Sequence, residues 1–164
     1  MADIYPTAGS KIFIGPAMSA GSTDKVLADF ETSPALTWTE IGFTESLGSL
    51  GDSAESITFD AVGRGRRIKK KGTRDAGTME IVCGMDYTDA GQIAVRAAEA
   101  TPNDYAFKIQ FNDAPASSGA TPSLRYFVAQ VLTANESLEG ANNIMKLNIS
   151  LGINSNIVRV DADN

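Results

Sequence analysis

The clearest regularity along this chain is alternation of apolar and polar side chains with period two, the pattern of strands with one buried face. From Met145 to Ile153, the residues Met145, Leu147, Ile149, Leu151 and Ile153 fall on one face, and Lys146, Asn148, Ser150 and Gly152 on the other. Tyr105 to Phe111 repeats the pattern, with Tyr105, Phe107, Ile109 and Phe111 inward and Ala106, Lys108 and Gln110 outward. Thr78 to Met85 sets Met79, Ile81, Cys83 and Met85 on one face. Further strands are predicted over Lys11 to Ile14, stopped by Gly15-Pro16, and over Leu36–Phe43, Ile57–Val62 and Leu124–Leu132. In the second of these, Leu36 and Trp38 face one way and Ile41 the other, and Glu40 marks a strand end or edge.

One segment, 89–100, has helical spacing instead. Asp89 suits an N-cap, Gln92 stands three positions on as in a capping box, and Thr101-Pro102-Asn103 ends the helix. Ala90, Ile93, Ala94 and Ala97 form the predicted apolar stripe, with Arg96 and Glu99 on the wet side. Residues 17–35 read as a long, partly mobile loop, 47–52 as a turn, 112–123 as a flexible connection, and 1–9 and 158–164 as flexible ends. No repeat or boundary divides the chain. The expectation is a single domain over 1–164, mainly β with one α-helix: a β-sandwich or barrel with a flanking helix and a long projecting loop.

Composition removes most catalytic chemistry. The 164 residues include no histidine and one cysteine. That excludes Ser-His-Asp and Cys-His catalysis, an internal disulfide and thiolate zinc sites. Cys83, on an inward strand face, reads as a core residue. Asp52 with Glu55, and Asp86 with Asp89, read as turn and cap residues rather than paired catalytic carboxylates. Gly63-Arg64-Gly65 lacks the third glycine of a phosphate loop, since position 68 is isoleucine. No catalytic residue, cofactor or metal is expected. No apolar run approaches the ~20 residues of a membrane span, and no basic-then-apolar leader opens the chain, so a protein made in the cytoplasm, without membrane contact, is expected.

Charge changes the picture most. Net charge is −6, yet residues 64–74 hold seven of the fourteen basic residues: Arg64, Arg66, Arg67, Lys69, Lys70, Lys71 and Arg74. Ile68 is the one large apolar side chain among them, and no acid interrupts the run. Seven bases against twenty acids leave −13 elsewhere. One reading is nucleic-acid binding by phosphate neutralisation, against which stands the absence of interleaved aromatics for stacking. The favoured reading is an arm over about 60–75 that meets the acidic surface of another copy through these eight residues, Arg64 to Arg74. The plain alternative is a solvated hairpin tip.

The order of elements resembles the major tail tube proteins of long-tailed bacteriophages, of the lambda-like type. The features that carry it are the early KIFIG, a long insertion before TWTEIGF, and the run SLGSLGDSAESITFDAVGRGRRIKKKGTRDAGTMEIVCGM. YTDAGQIAVRAAEATPNDYAFKIQF and RYFVAQVLTANESLEGANNIMKLNISLGIN follow. The match covers roughly residues 10 to 160 and leaves no segment for the C-terminal immunoglobulin-like domain of some relatives. The resemblance implies a virion protein, related in fold to type VI secretion tube proteins, whose hexameric rings stack into a hollow tube. Implied partners are other copies, tape-measure, tail-tip and tail-terminator proteins, and genomic DNA passing an acidic lumen without specific binding. It also implies that long loops and termini, here 60–75, 17–35 and both ends, bridge subunits and rings.

Overall fold

A computed structural model describes residues 4–31 and 36–163. Eight strands form one antiparallel sheet. They are β1 (Lys11–Ala17), β2 (Thr39–Glu40), β3 (Thr44–Ser46), β6 (Thr78–Gly84), β7 (Tyr105–Gln110), β8 (Leu124–Ser137), β9 (Lys146–Ile153) and β10 (Val158–Val160). The order is β2-β1-β7-β8-β9-β6-β3, with β10 beside β8. Strands β4 (Ser53–Phe59) and β5 (Ile68–Asp75) pair only with each other. Helices α1 (Leu27–Glu31) and α2 (Ala90–Glu99) are the other elements among the described residues.

The alternating segments form the strands they predict because each has a face to bury. Leu147, Ile149, Leu151 and Ile153 of β9 share one core with Met79, Ile81 and Cys83 of β6, Ile12 and Ile14 of β1, and Phe107 and Ile109 of β7. Strands far apart in the sheet order contribute to a single cluster, so the sheet curls over its own core. Phe107 and Phe127 lie opposite each other in register, their rings stacked 5.6 Å apart. Each fully buried side chain of this size contributes about 1.5–3 kcal/mol.

The central strands are covered on their other face too. Phe30 of α1 packs with Ala106, Tyr126 and Val128, flanked by Trp38 and Leu36. The Tyr126 hydroxyl donates to Glu31 Oε1 at 2.6 Å. Ala106 is therefore buried, not outward as its place in the alternation predicts, because the segment expected to be a mobile loop supplies a covering helix. That segment is also pinned by Lys25 N donating to Asn156 Oδ1 at 2.7 Å. Residues 32–35 of the predicted loop, 1–3 of the N-terminal end and Asn164 lie outside the described residues.

Other expectations need correction. β1 runs on through Gly15-Pro16, accommodated by a register shift between Ile14 and Ala17. The 36–43 strand shrinks to two residues, because the chain turns at Phe43, whose φ is 54°. Leu36 and Trp38 still face away from Ile41, into the second cluster. The C-terminal end is tied down: β10 pairs with β8, and the buried Arg125 guanidinium donates to Val160 O at 3.0 Å and Asp161 Oδ1 at 3.2 Å.

Helix α2 starts where predicted but buries a different face: Gly91, Gln92, Val95 and Ala98, leaving Ile93 and Ala97 exposed. The Asp89 carboxylate accepts from Gln92 N at 2.9 Å and from Gly42 N at 3.1 Å. Gln92 does not reach back to the Asp89 amide. It donates to Gly84 O at 2.8 Å and Gly42 O at 3.2 Å, and accepts from Asp86 N at 3.0 Å. These contacts pull the helix start onto the β2–β3 turn, where a side chain on Gly91 would collide with the Glu40 carbonyl. Arg96, expected on the wet side, is half-buried and pairs with Glu136 at 3.3 Å.

Replacing Gln92 with leucine keeps the volume and removes the partner of three part-buried backbone groups, each costing up to about 1–3 kcal/mol. Thermal unfolding of Gln92→Leu should shift down by about 2–4 °C for every kcal/mol lost; an unchanged midpoint refutes the clamp. Cys83 is fully buried, and burial, with Asp89 nearby, pushes its thiol from 9.0 up to about 11. A raised folded pKa leaves stability unaffected below pH 9.0 and erodes it as pH climbs toward about 11. Native protein at pH 8 should resist a thiol reagent and label promptly in denaturant.

Candidate assembly interface

The basic segment lies on the β4–β5 hairpin. Arg64, Arg66 and Arg67 occupy the tip, and Ile68, Lys69, Lys70, Lys71 and Arg74 lie on β5. The arm starts earlier than the sequence pattern places it, at Ser53, since all of β4 belongs to it. An isolated two-stranded ribbon is marginal in water. Its ion pairs close within residues 52–75, as do its side-chain hydrogen bonds apart from Gly77 N donating to Asp75 Oδ1 at 2.8 Å, and most of its residues are exposed.

Folding brings acids to this run that the sequence window lacks. Arg67 grips Asp60 with two bonds, Nε to Oδ1 at 2.8 Å and Nη2 to Oδ2 at 3.0 Å. Arg74 Nε donates to Asp52 Oδ2 at 2.9 Å, and Thr73 Oγ1 donates to Glu55 Oε2 at 3.4 Å. With Asp75, four acids share residues 52–75 with seven bases, so the arm carries +3 and the rest of the chain −9. Arg64, Arg66, Lys69, Lys70 and Lys71 have no acidic partner among the described residues.

The register gives the arm two unlike faces. Cross-strand partners share a face. Ile57 opposes Lys70, and Phe59 opposes Ile68, making one face largely apolar. Ser56 opposes Lys71, and Thr58 opposes Lys69, making the other polar and basic. Ile57 is 56% exposed, Phe59 64%, and Val62 at the tip fully so. These apolar residues were not singled out as contacts in the sequence. The signal was present: Ile57 and Phe59 alternate with Ser56 and Thr58 without a second layer to cover them.

The carboxylate pairs considered for catalysis have structural partners. Asp52 holds Arg74 and Glu55 meets Thr73. Asp86 accepts from Thr88 N at 2.8 Å and Thr88 Oγ1 at 2.7 Å, which keeps its carboxyl below the usual range, and Asp89 caps α2. Among the described residues no group of His, Cys, Asp and Glu is arranged to hold a metal, and no helix is long and apolar enough to cross a membrane.

No protein-family profile and no curated protein matches the chain in sequence. Solved structures do match in shape. A chain of the anti-feeding prophage baseplate, in a six-fold symmetrised structure, superposes with a TM-score of 0.70 over 98% of both chains at 9% identity. A chain of the SPP1 tail tube gives 0.66 at 15% identity, covering 95% of this chain and 80% of its own. The chain has the fold found in phage tail tubes and contractile injection systems. A chain of the PVC sheath–tube complex, an extracellular contractile injection system, gives 0.63 at 14% identity, over 95% of this chain and 90% of its own. The likeness carried by the order of sequence elements is thus present in three dimensions, at sequence identities of only 9% to 15%.

Because Lys69, Lys70 and Lys71 are exposed and make no ion pair within the fold, reversing all three to glutamate should leave stability within about 1 kcal/mol of the parent. Denaturant unfolding checks this; a large loss means that these lysines support the fold itself.

Proposed function

We propose that this chain is a structural subunit of a phage tail tube, forming hexameric rings that stack into a hollow conduit for DNA. The observation that carries the reading is the near-complete superposition on chains of tail tubes and injection systems, joined to an arm whose two strands, among the described residues, pair only with each other. A two-stranded ribbon exposing Ile57, Phe59 and Val62 has an incomplete environment in the monomer. The charge split of +3 on the arm and −9 elsewhere favours contact between copies, since opposite charges steer and register an interface. Arg64, Arg66, Arg67, Ile68, Lys69, Lys70, Lys71 and Arg74 are the proposed contact residues.

The same charge balance suits a conduit. A body of −9 repels phosphate, so DNA would slide past an acidic lumen rather than adhere. Tape-measure, tail-tip and terminator proteins are the further partners of such a tube, and the virion is its place. The chain performs no catalysis in this role.

Electron microscopy of the concentrated protein tests the reading. Rings with a central hole, or tubes, are expected. The Lys69→Glu/Lys70→Glu/Lys71→Glu variant should fold normally yet give monomers or unstacked rings. A parent protein that stays monomeric and binds DNA with steeply salt-dependent affinity would transfer the arm to phosphate binding instead.

A further inference from the structure

At the end of β6 remote from the arm lies an open groove of about 850 Å³. Phe43, Ile144, Met85, Glu45, Asp86 and Glu139 line it. Phe43 is 70% exposed and Ile144 75%, with Met145 and Tyr87 also exposed nearby in the chain. Its charged lining is acidic: Glu45, Asp86 and Glu139 stand against Lys146, which pairs with Glu45 at 2.8 Å and is also attracted by Glu139.

Backbone conformation singles out the same place. Among the described residues, Phe43 and Glu139 are the two non-glycine positions with positive φ, at 54° and 49°, and both line the groove. A bulky residue in this region costs free energy and persists only when its surroundings enforce it. The enforcement at Phe43 is visible: Asp89 and Gln92 hold the Gly42 peptide groups, and Gly84 N donates to Phe43 O at 2.8 Å. The fold thus spends stability to present an aromatic side chain to solvent.

We infer that this groove receives the apolar face of the β4–β5 arm from a second copy of the chain. The pairing deepens the self-assembly reading and rests on it. The chemistry is complementary on both counts. The arm offers Phe59, Ile57 and Ile68 flanked by Lys70, and the groove offers Phe43, Ile144 and Met85 flanked by Asp86 and Glu139.

Position favours another copy over the same one. The arm returns to the body at Asp75, just before β6, whereas the groove lies at the strand's other end, at Gly84 and Met85. Seven extended residues separate the two ends of β6 by roughly 20 Å. Arm and groove are therefore at opposite ends of one strand, and their contact is head to tail. Head-to-tail contacts propagate, as rings where the rotation closes and as filaments where it does not.

Two single-cysteine additions test the pairing. Phe59→Cys and Ile144→Cys proteins are prepared separately, mixed, and oxidised mildly; buried Cys83 stays silent. A disulfide-linked dimer in the mixture, absent from either protein alone, is the expected result. In parallel, Phe59→Ser should raise the protein concentration needed for assembly about tenfold or more. Parent tubes in the microscope together with no cross-link and an unshifted Phe59→Ser would overturn the pairing and leave the tube reading intact. A cross-link without rings or tubes would uphold the pairing and overturn the tube. Neither assembly nor cross-link overturns both.

Discussion

Gln92 is buried at the start of α2 with both amide hydrogens and its carbonyl oxygen engaged by backbone groups of Gly42, Gly84 and Asp86. Much else follows from that one side chain and the Asp89 cap beside it. They join the helix to the β2–β3 turn and to the end of β6, two places far apart in sequence. Leaving any of these backbone groups unpaired in the interior would cost as much as a typical single mutation removes. The clamp orients α2, so that Val95 and Ala98 rather than Ile93 meet the core. It also fixes Gly42, and through it the conformation that turns Phe43 outward.

The sheet shows a second constraint. β7 and β8 are buried on both faces, by the main core on one side and by Phe30, Leu36 and Trp38 on the other. A strand covered on both sides cannot be read by alternation alone, which is why Ala106 and Val128 are as buried as Phe107 and Phe127. The short helix α1 exists to provide that cover, with Phe30 reaching the sheet and Glu31 satisfying the Tyr126 hydroxyl.

Against this fully packed body, the β4–β5 arm stands apart. Its seven basic residues look like a uniform positive segment in sequence, but antiparallel pairing brings Asp52, Glu55 and Asp60 alongside and divides the remaining charge between an apolar face and a basic one. Such a device is suited to assembly: the apolar face can supply contact area and the lysines direction, while the same chain carries an acidic groove at its far end. In the proposed pairing, the two ends of one subunit complement each other.

The strands β6, β7 and β9, the helix start at Asp89 and the buried place of Cys83 were legible residue by residue, because each depends on local periodicity. The family likeness was legible from the order of elements. What tertiary structure alone decided were the features that depend on distant partners. The helix face was misassigned because Gln92, polar by composition, is satisfied by backbone from two other segments. The loop 17–35 and the tail looked mobile because the surfaces that hold them, Tyr126 and Arg125, lie about a hundred and about thirty-five positions away. The arm's two faces depend on a cross-strand register, and Phe43's outward turn on a clamp some fifty residues downstream. Local sequence encodes which residues want burial; only the closed fold determines which of them receive it.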